Sequence, residues 1–191
     1  MKTLYLIGGT MGVGKTTVCR QLRDRLHNSV FLDGDWCWDA HPFQVTEETK
    51  RMVMENICFL LNQFLRCSVY EHVIFCWVMH EQKIIDDILS GIDRRNCHVQ
   101  GISLVCDEET LHNRLEKDVA AGVRTPDVIE RSVARIPCYQ QLNTIKLQTV
   151  GKTVAEIVNE LEALKEKNME LMEALQKRRS RQKNGCGSCW E

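Results

Sequence analysis

The sequence carries almost no net charge: 25 lysines and arginines stand against 26 aspartates and glutamates, a balance of -1. That excludes the global basic field with which many proteins attract nucleic acid, and no nucleic-acid partner is expected. Long apolar runs are also missing. None approaches the ~20 residues a helix needs to cross a bilayer, so no membrane association is expected. The apolar start of the chain, residues 1–8, leads straight into a glycine-rich motif where a leader would need its cleavage site, and the protein reads as cytoplasmic. No internal repeat is visible. Ten cysteines are present, but most lie in apolar runs (Cys58, Cys76, Cys106) or singly in helix-like segments (Cys19, Cys67). Without a spaced framework they read as reduced, small core residues. With 191 residues, 43% hydrophobic and 27% charged, the chain suits one globular domain with an appendage.

The informative stretch is Gly9-Thr10-Met11-Gly12-Val13-Gly14-Lys15-Thr16, followed by Thr17. It spells G-x-x-x-x-G-K-T, the phosphate-binding P-loop, after an apolar strand-like run and before a helix-like one. At average composition the four fixed positions arise by chance in about one chain in a hundred of this length. Glycines let the backbone take positive φ and approach a phosphate closely. Successive amides and the helix start then face the anion. Lys15 can reach the β- and γ-phosphates, and the Thr16 hydroxyl can ligate Mg²⁺.

Strand patterns are expected at 3–8, 29–32, 72–79, 99–106 and 144–149. Helical patterns alternate with them at 15–26, from 46 onward, at 81–90, 107–120 and 127–141, and after 153. Met52, Ile57, Leu60, Leu61, Phe64 and Leu65 supply the apolar face of the second helix. Strands alternating with helices imply a three-layer α/β fold with a parallel sheet.

A P-loop says which phosphate is held and leaves its destination open. The third strand ends Cys76-Trp77-Val78-Met79-His80, without the acid that large motor and switch NTPases carry there. Acids follow the second strand instead, as Asp33-Gly34-Asp35, at the carboxyl edge of the sheet where ligands bind in α/β folds. Two carboxylates at i and i+2 can divide the work, one orienting Mg²⁺ and the other taking the proton of an attacking hydroxyl.

These features resemble the shikimate kinase, gluconate kinase and nucleoside monophosphate kinase group, together with its AAA-type nucleotide kinase relatives. The resemblance covers about residues 2–164 and implies a five-stranded sheet of order 2-3-1-4-5 with an arginine-containing lid. By resemblance, Asp33 is the Mg²⁺-water ligand, Asp35 the base, Arg114 the residue on adenine and Arg124 the lid cation closing on the phosphates. Arg135, in Arg135-Ile136-Pro137-Cys138-Tyr139, matches the segment that binds a substrate carboxylate. The loop 149–153 matches the one flanking adenine. Shikimate kinases also carry a glycine triplet after the third strand, which is absent here, and their arginine-bearing substrate segment is not recognisable in 46–56. That argues against shikimate. Trp36, Trp38, Trp77 and His80 point instead to a wider, aromatic acceptor pocket.

The expected activity is ATP- and Mg²⁺-dependent transfer of the γ-phosphoryl group to a hydroxyl or phosphate of a small molecule. A kinase of nucleotides or nucleic-acid 5′-ends, or a nucleotide-binding sensor that transfers nothing, are the alternatives. Residues 1–164 are expected to form the kinase domain, and 165–191 a charged helical extension with a cysteine-containing tail. In that tail Cys186-x-x-Cys189 lacks the second ligand pair of a zinc site.

Overall fold

The computed structural model describes residues 1–164; the basic run 177–183 and the Cys186/Cys189 pair lie outside the described residues. Five strands form one parallel sheet: β1 (Lys2–Gly8), β2 (Ser29–Asp33), β3 (His72–Trp77), β4 (Cys97–Val105) and β5 (Ile145–Gln148). Their order is β2-β3-β1-β4-β5, as the resemblance implies. Helices α1 (Lys15–Arg25), α2 (Glu47–Arg66), α3 (Gln82–Ser90), α4 (Glu108–Ala120), α5 (Asp127–Val133) and α6 (Ile136–Gln141) fill the connections, and α7 covers 154–164.

Because side chains alternate across a strand, each strand feeds two cores. Tyr5, Ile7, Ile74, Cys76, Ile102 and Leu104 meet α1, α4, α5 and α7 on one face, through Leu22, Leu115, Val128 and Leu161. Leu4, Leu6, Val73 and Phe75 meet α2, α3 and α6 on the other, through Ile57, Leu61, Ile88 and Tyr139. The α2 stripe runs Val53, Ile57, Leu61, Leu65, while Met52, expected on that face, is 42% exposed. A reciprocal capping box starts α2: Thr46 Oγ1 accepts from the Thr49 amide, and Thr49 Oγ1 accepts from the Thr46 amide.

Two expected boundaries shift. β4 starts at Cys97 because Lys2 of β1 pairs with it. The helix expected over 127–141 divides into α5 and α6 around Ala134 and Arg135, with Pro137 in the first turn of α6. Proline has no N–H for a continuous helix there, but the first turn needs none. Among the described residues the eight cysteines are free thiols, as expected. No helix of the described residues is long and apolar enough to cross a membrane.

Candidate active site

β1 stops at Gly8 and α1 begins at Lys15, so the P-loop sits at the carboxyl edge of the central strand. Two of its glycines are required for different reasons. Gly12 (φ +80°) is pressed against α4, where a β-carbon would lie 2.6 Å from Leu115 Cδ2. Gly14 (φ +101°) precedes α1 in the left-handed region with nothing within 4 Å of such a carbon, so it faces open space. No side chain caps α1, which leaves its first-turn amides for an anion. Thr10 Oγ1 donates to the Ser132 carbonyl at 2.9 Å and ties the loop to α5. Lys15 Nζ donates to the Thr10 carbonyl at 3.1 Å. Burial pushes the Lys15 ammonium below the usual lysine value, while Asp35 and Asp33 act the other way.

β2 delivers both carboxylates. Asp33 is 5% exposed, and both its oxygens are used: Oδ2 accepts from Thr16 Oγ1 at 2.7 Å and Oδ1 from the Asp35 amide at 3.2 Å. Its register partner on β3 is Cys76, a buried thiol kept protonated by its hydrogen bond with Cys19 and by burial. The acid near the P-loop therefore comes from β2. A single 3-10 turn, Gly34–Cys37, then carries Asp35 to the cleft mouth. There Asp35 Oδ1 accepts from Trp77 Nε1 at 3.1 Å. Burial among neighbours and the Asp33 charge raise the Asp35 carboxyl above its ordinary value; Lys15, the Trp77 N–H and Arg124 oppose them. Asp35 is nevertheless solvent-exposed by area, so water moderates that rise until something covers it.

The cleft holds about 410 Å³ between the P-loop, Asp35 and α4. Arg114 lines it while its guanidinium donates to the Val13 carbonyl (3.2 Å), Thr149 Oγ1 (3.1 Å) and the Thr149 carbonyl (3.2 Å). It thus joins the P-loop to the loop after β5. Arg124, beyond the Gly122 turn, lines the cleft and donates through Nε to Asp118 Oδ2 at 3.0 Å. Lys117 also lines it, a residue that the sequence reading missed. Its spacing of three from Arg114, which puts both on one helix face, was the available signal.

Hydroxyl and carboxylate at Thr16 and Asp33 fit Mg²⁺, which takes one or two protein oxygens and keeps water and phosphate for the rest. No cluster of three or more His, Cys, Asp or Glu ligands exists among the described residues, so a wholly protein-built metal cage is absent from them.

The aromatic residues separate. Trp36 is 52% exposed and leans edge-on against Phe31 at 5.2 Å, whereas Trp38 reaches Trp77. Arg135, at the start of α6, has its charge near His80 and Tyr139. Burial and then Arg135 push His80 below its ordinary value, against the opposing charge of Glu81. Met79, the neighbour of His80, sits beside the P-loop start, its carbonyl 3.6 Å from where a β-carbon on Gly8 would lie.

Residues 6–135 match the family model described as an AAA domain. Shikimate kinase from Bacillus anthracis is 28% identical over 170 residues, covering 84% of this chain and 96% of that enzyme. Among solved structures, the Deinococcus radiodurans tunicamycin resistance protein superposes with a TM-score of 0.63 at 17% identity, covering 86% of this chain and 95% of that one. A gluconokinase from Sinorhizobium meliloti gives 0.59 at 16% identity, over 83% and 88%. The fold is that of P-loop kinases, with a shikimate kinase homologue and a gluconokinase neighbour. With more than half its length matched, the chain belongs to the AAA-domain family of P-loop proteins.

Proposed function

We propose that the protein is an ATP- and Mg²⁺-dependent phosphotransferase that phosphorylates a hydroxyl of a small molecule. The observation that carries the reading is the unbroken line of contacts from the P-loop to a second carboxylate: Thr16 to Asp33, Asp33 to the Asp35 amide, Asp35 to Trp77. Binding triphosphate alone needs Thr16 and Asp33; the outer carboxylate at the cleft mouth is the group an acceptor would meet.

In this reading the amides of Gly12–Thr17 and Lys15 bind the β- and γ-phosphates, Lys15 exchanging the Thr10 carbonyl for phosphate oxygen. Thr16 and Asp33 would hold Mg²⁺, which when bound neutralises phosphate charge and orients the γ-group. Asp35 accepts the acceptor's hydroxyl proton as its oxygen attacks phosphorus and ADP departs. Arg124 and Lys117 add positive charge across the cleft, where an anionic transition state is stabilised by fixed cations. Homology to shikimate kinase and likeness to gluconokinase agree with a small-molecule hydroxyl as acceptor.

The test is ADP release in the presence of candidate acceptors, with Asp35→Asn as control. General-base removal lowers kcat by about 10²- to 10⁴-fold while Mg²⁺-ATP affinity is retained. Full turnover in Asp35→Asn would show that Asp35 is not the base. Tight Mg²⁺-ATP binding with no acceptor-dependent release across nucleosides, sugar acids and antibiotics would point to a sensor instead.

A further inference from the structure

Beyond Asp35 the chain becomes strongly aromatic. Trp38 meets Trp77 at 5.8 Å between ring centroids with planes at 74°, and Phe43 meets Trp38 at 4.9 Å and 79°. Trp38 and Trp77 are partly buried against the core, and the wall of rings opens to solvent at its outer end, where Phe43 is 56% exposed. The wall starts at the reactive carboxylate, because Trp77 Nε1 is the donor that holds Asp35. That bond uses the only polar atom of the Trp77 ring.

Some polar side chains of the adjoining segment are engaged with the chain itself, while Asp39, His41, Gln44, Glu48 and Arg51 stand exposed. Asn56 Nδ2 donates to the Cys37 carbonyl at 3.0 Å and fastens the aspartate turn to α2. Thr46 and Thr49 cap α2, and Lys50 pairs with Glu47. A flat ring needs apolar surface to stack on, and aromatic surface beside a carboxylate at a cleft mouth suits one.

We propose that the phosphoryl acceptor carries a flat aromatic or heterocyclic ring, seated against Trp38 and Phe43, with its reacting hydroxyl on a substituent that reaches Asp35. This rests on the phosphotransfer reading and narrows it. The acceptor O–H gives its proton to Asp35, an O–P bond forms to the γ-phosphorus, and the bond to the β,γ-bridging oxygen breaks, its electron pair leaving with ADP. Trp38 and Phe43 determine specificity and take no part in the proton transfer.

The experiment titrates the full chain by calorimetry, with Mg²⁺ and a non-hydrolysable ATP analogue, against uridine, adenosine, 1-phenyl-1,2-ethanediol, shikimate and gluconate. Each compound is then offered with ATP and ADP release is followed. At least one flat-ring compound is expected to bind and react; nucleosides alone would identify a heterocycle, the phenyl diol alone a benzenoid ring. Trp38→Ala weakens its binding on the order of 10- to 100-fold, the range for a ring stacked on an aromatic side chain, and the loss falls mainly on KM. Trp38→Phe restores part of it. Phe43→Ala, at an exposed position with little folding cost, weakens binding in the same direction. The proposal is overturned if shikimate or gluconate binds or reacts better, if no flat compound binds, or if binding ignores both alanine variants. Flat-ring binding that depends on Trp38 and Phe43 without ADP release would sustain the ring site and overturn phosphotransfer.

Discussion

Replacing Gly34 by alanine tests how Asp35, the proposed base, is held. Gly34 is buried between the two aspartates and its φ is not positive, so alanine brings no backbone strain there. What it brings is a collision: the new β-carbon would lie 2.5 Å from Trp77 Cγ, 2.6 Å from Cδ1 and 2.9 Å from Cβ. Carbon atoms pack at about 3.5–4 Å, so the indole or the turn must move by roughly 1 Å. Overpacking of this kind costs about 1–3 kcal/mol. At about 2–4 °C per kcal/mol for a chain of this size, the melting temperature should fall by roughly 2–12 °C. The same shift separates Trp77 Nε1 from Asp35, whose 3.1 Å contact sets the carboxylate direction. A displacement of about 1 Å at a reacting group costs on the order of 10²-fold in rate. Thermal unfolding and acceptor-dependent ADP release read the two effects separately. Adding Trp77→Ala removes the obstacle, so the double variant should lose less stability than the sum of the singles. If Gly34→Ala melts within about 1 °C of the parent and turns over within about twofold, Trp77 packing on residue 34 does not position Asp35.

Trp77→Phe deletes the N–H that favours ionised Asp35, so the Asp35 carboxyl rises further. Because Asp35 as the proposed base must be ionised, the acidic limb of the kcat/KM profile should move to higher pH; an unmoved limb would detach Trp77 from Asp35. The raised Asp35 carboxyl also has a sign for stability. Its contribution is fully present below the ordinary aspartate value and is lost as pH rises through the folded value. Asp35→Asn should therefore melt higher than the parent at pH 7 and converge with it near pH 3, measured by thermal unfolding across pH. Arg114→Ala strips donors from the Val13 and Thr149 carbonyls, costing about 1–3 kcal/mol and loosening the P-loop. A lower melting temperature and a smaller stabilisation by Mg²⁺-ATP should follow, and an unchanged ATP-induced shift would free Arg114 from the nucleotide site.

The P-loop and Asp33-Gly34-Asp35 were readable because each is written in consecutive residues whose spacing fixes their placement at a strand end. Sheet order followed from the resemblance to small-molecule kinases and is matched strand for strand. Side-chain direction was less legible. A strand would send Trp36 and Trp38 to the same side, but the 3-10 turn at Gly34–Cys37 sends one to Phe31 and the other to Trp77. Met52 lies one position off the i+4 stripe of α2, a difference composition cannot register. Arg114 bonds mainly to carbonyls of Val13 and Thr149, and main-chain acceptors leave no trace in residue identity. Pro137 was visible, yet only the neighbouring turn determines whether proline ends one helix or begins the next.

The two cores on either side of the sheet divide labour in a way that bears on how such a chain diversifies. Helices α1 and α4, which carry Lys15, Thr16, Arg114 and Lys117 of the cleft, share one core with α5; α2, α3 and α6 share the other, against which Trp38 and Trp77 pack. Asp33 and Asp35 join the two sides through a turn of three residues. Substitutions that reshape the wall can therefore accumulate in one layer while the packing behind the phosphate cradle is untouched. If the protein is the phosphotransferase proposed above, a lineage built this way can trade one acceptor for another by drift in 36–56 while its phosphate site stays fixed.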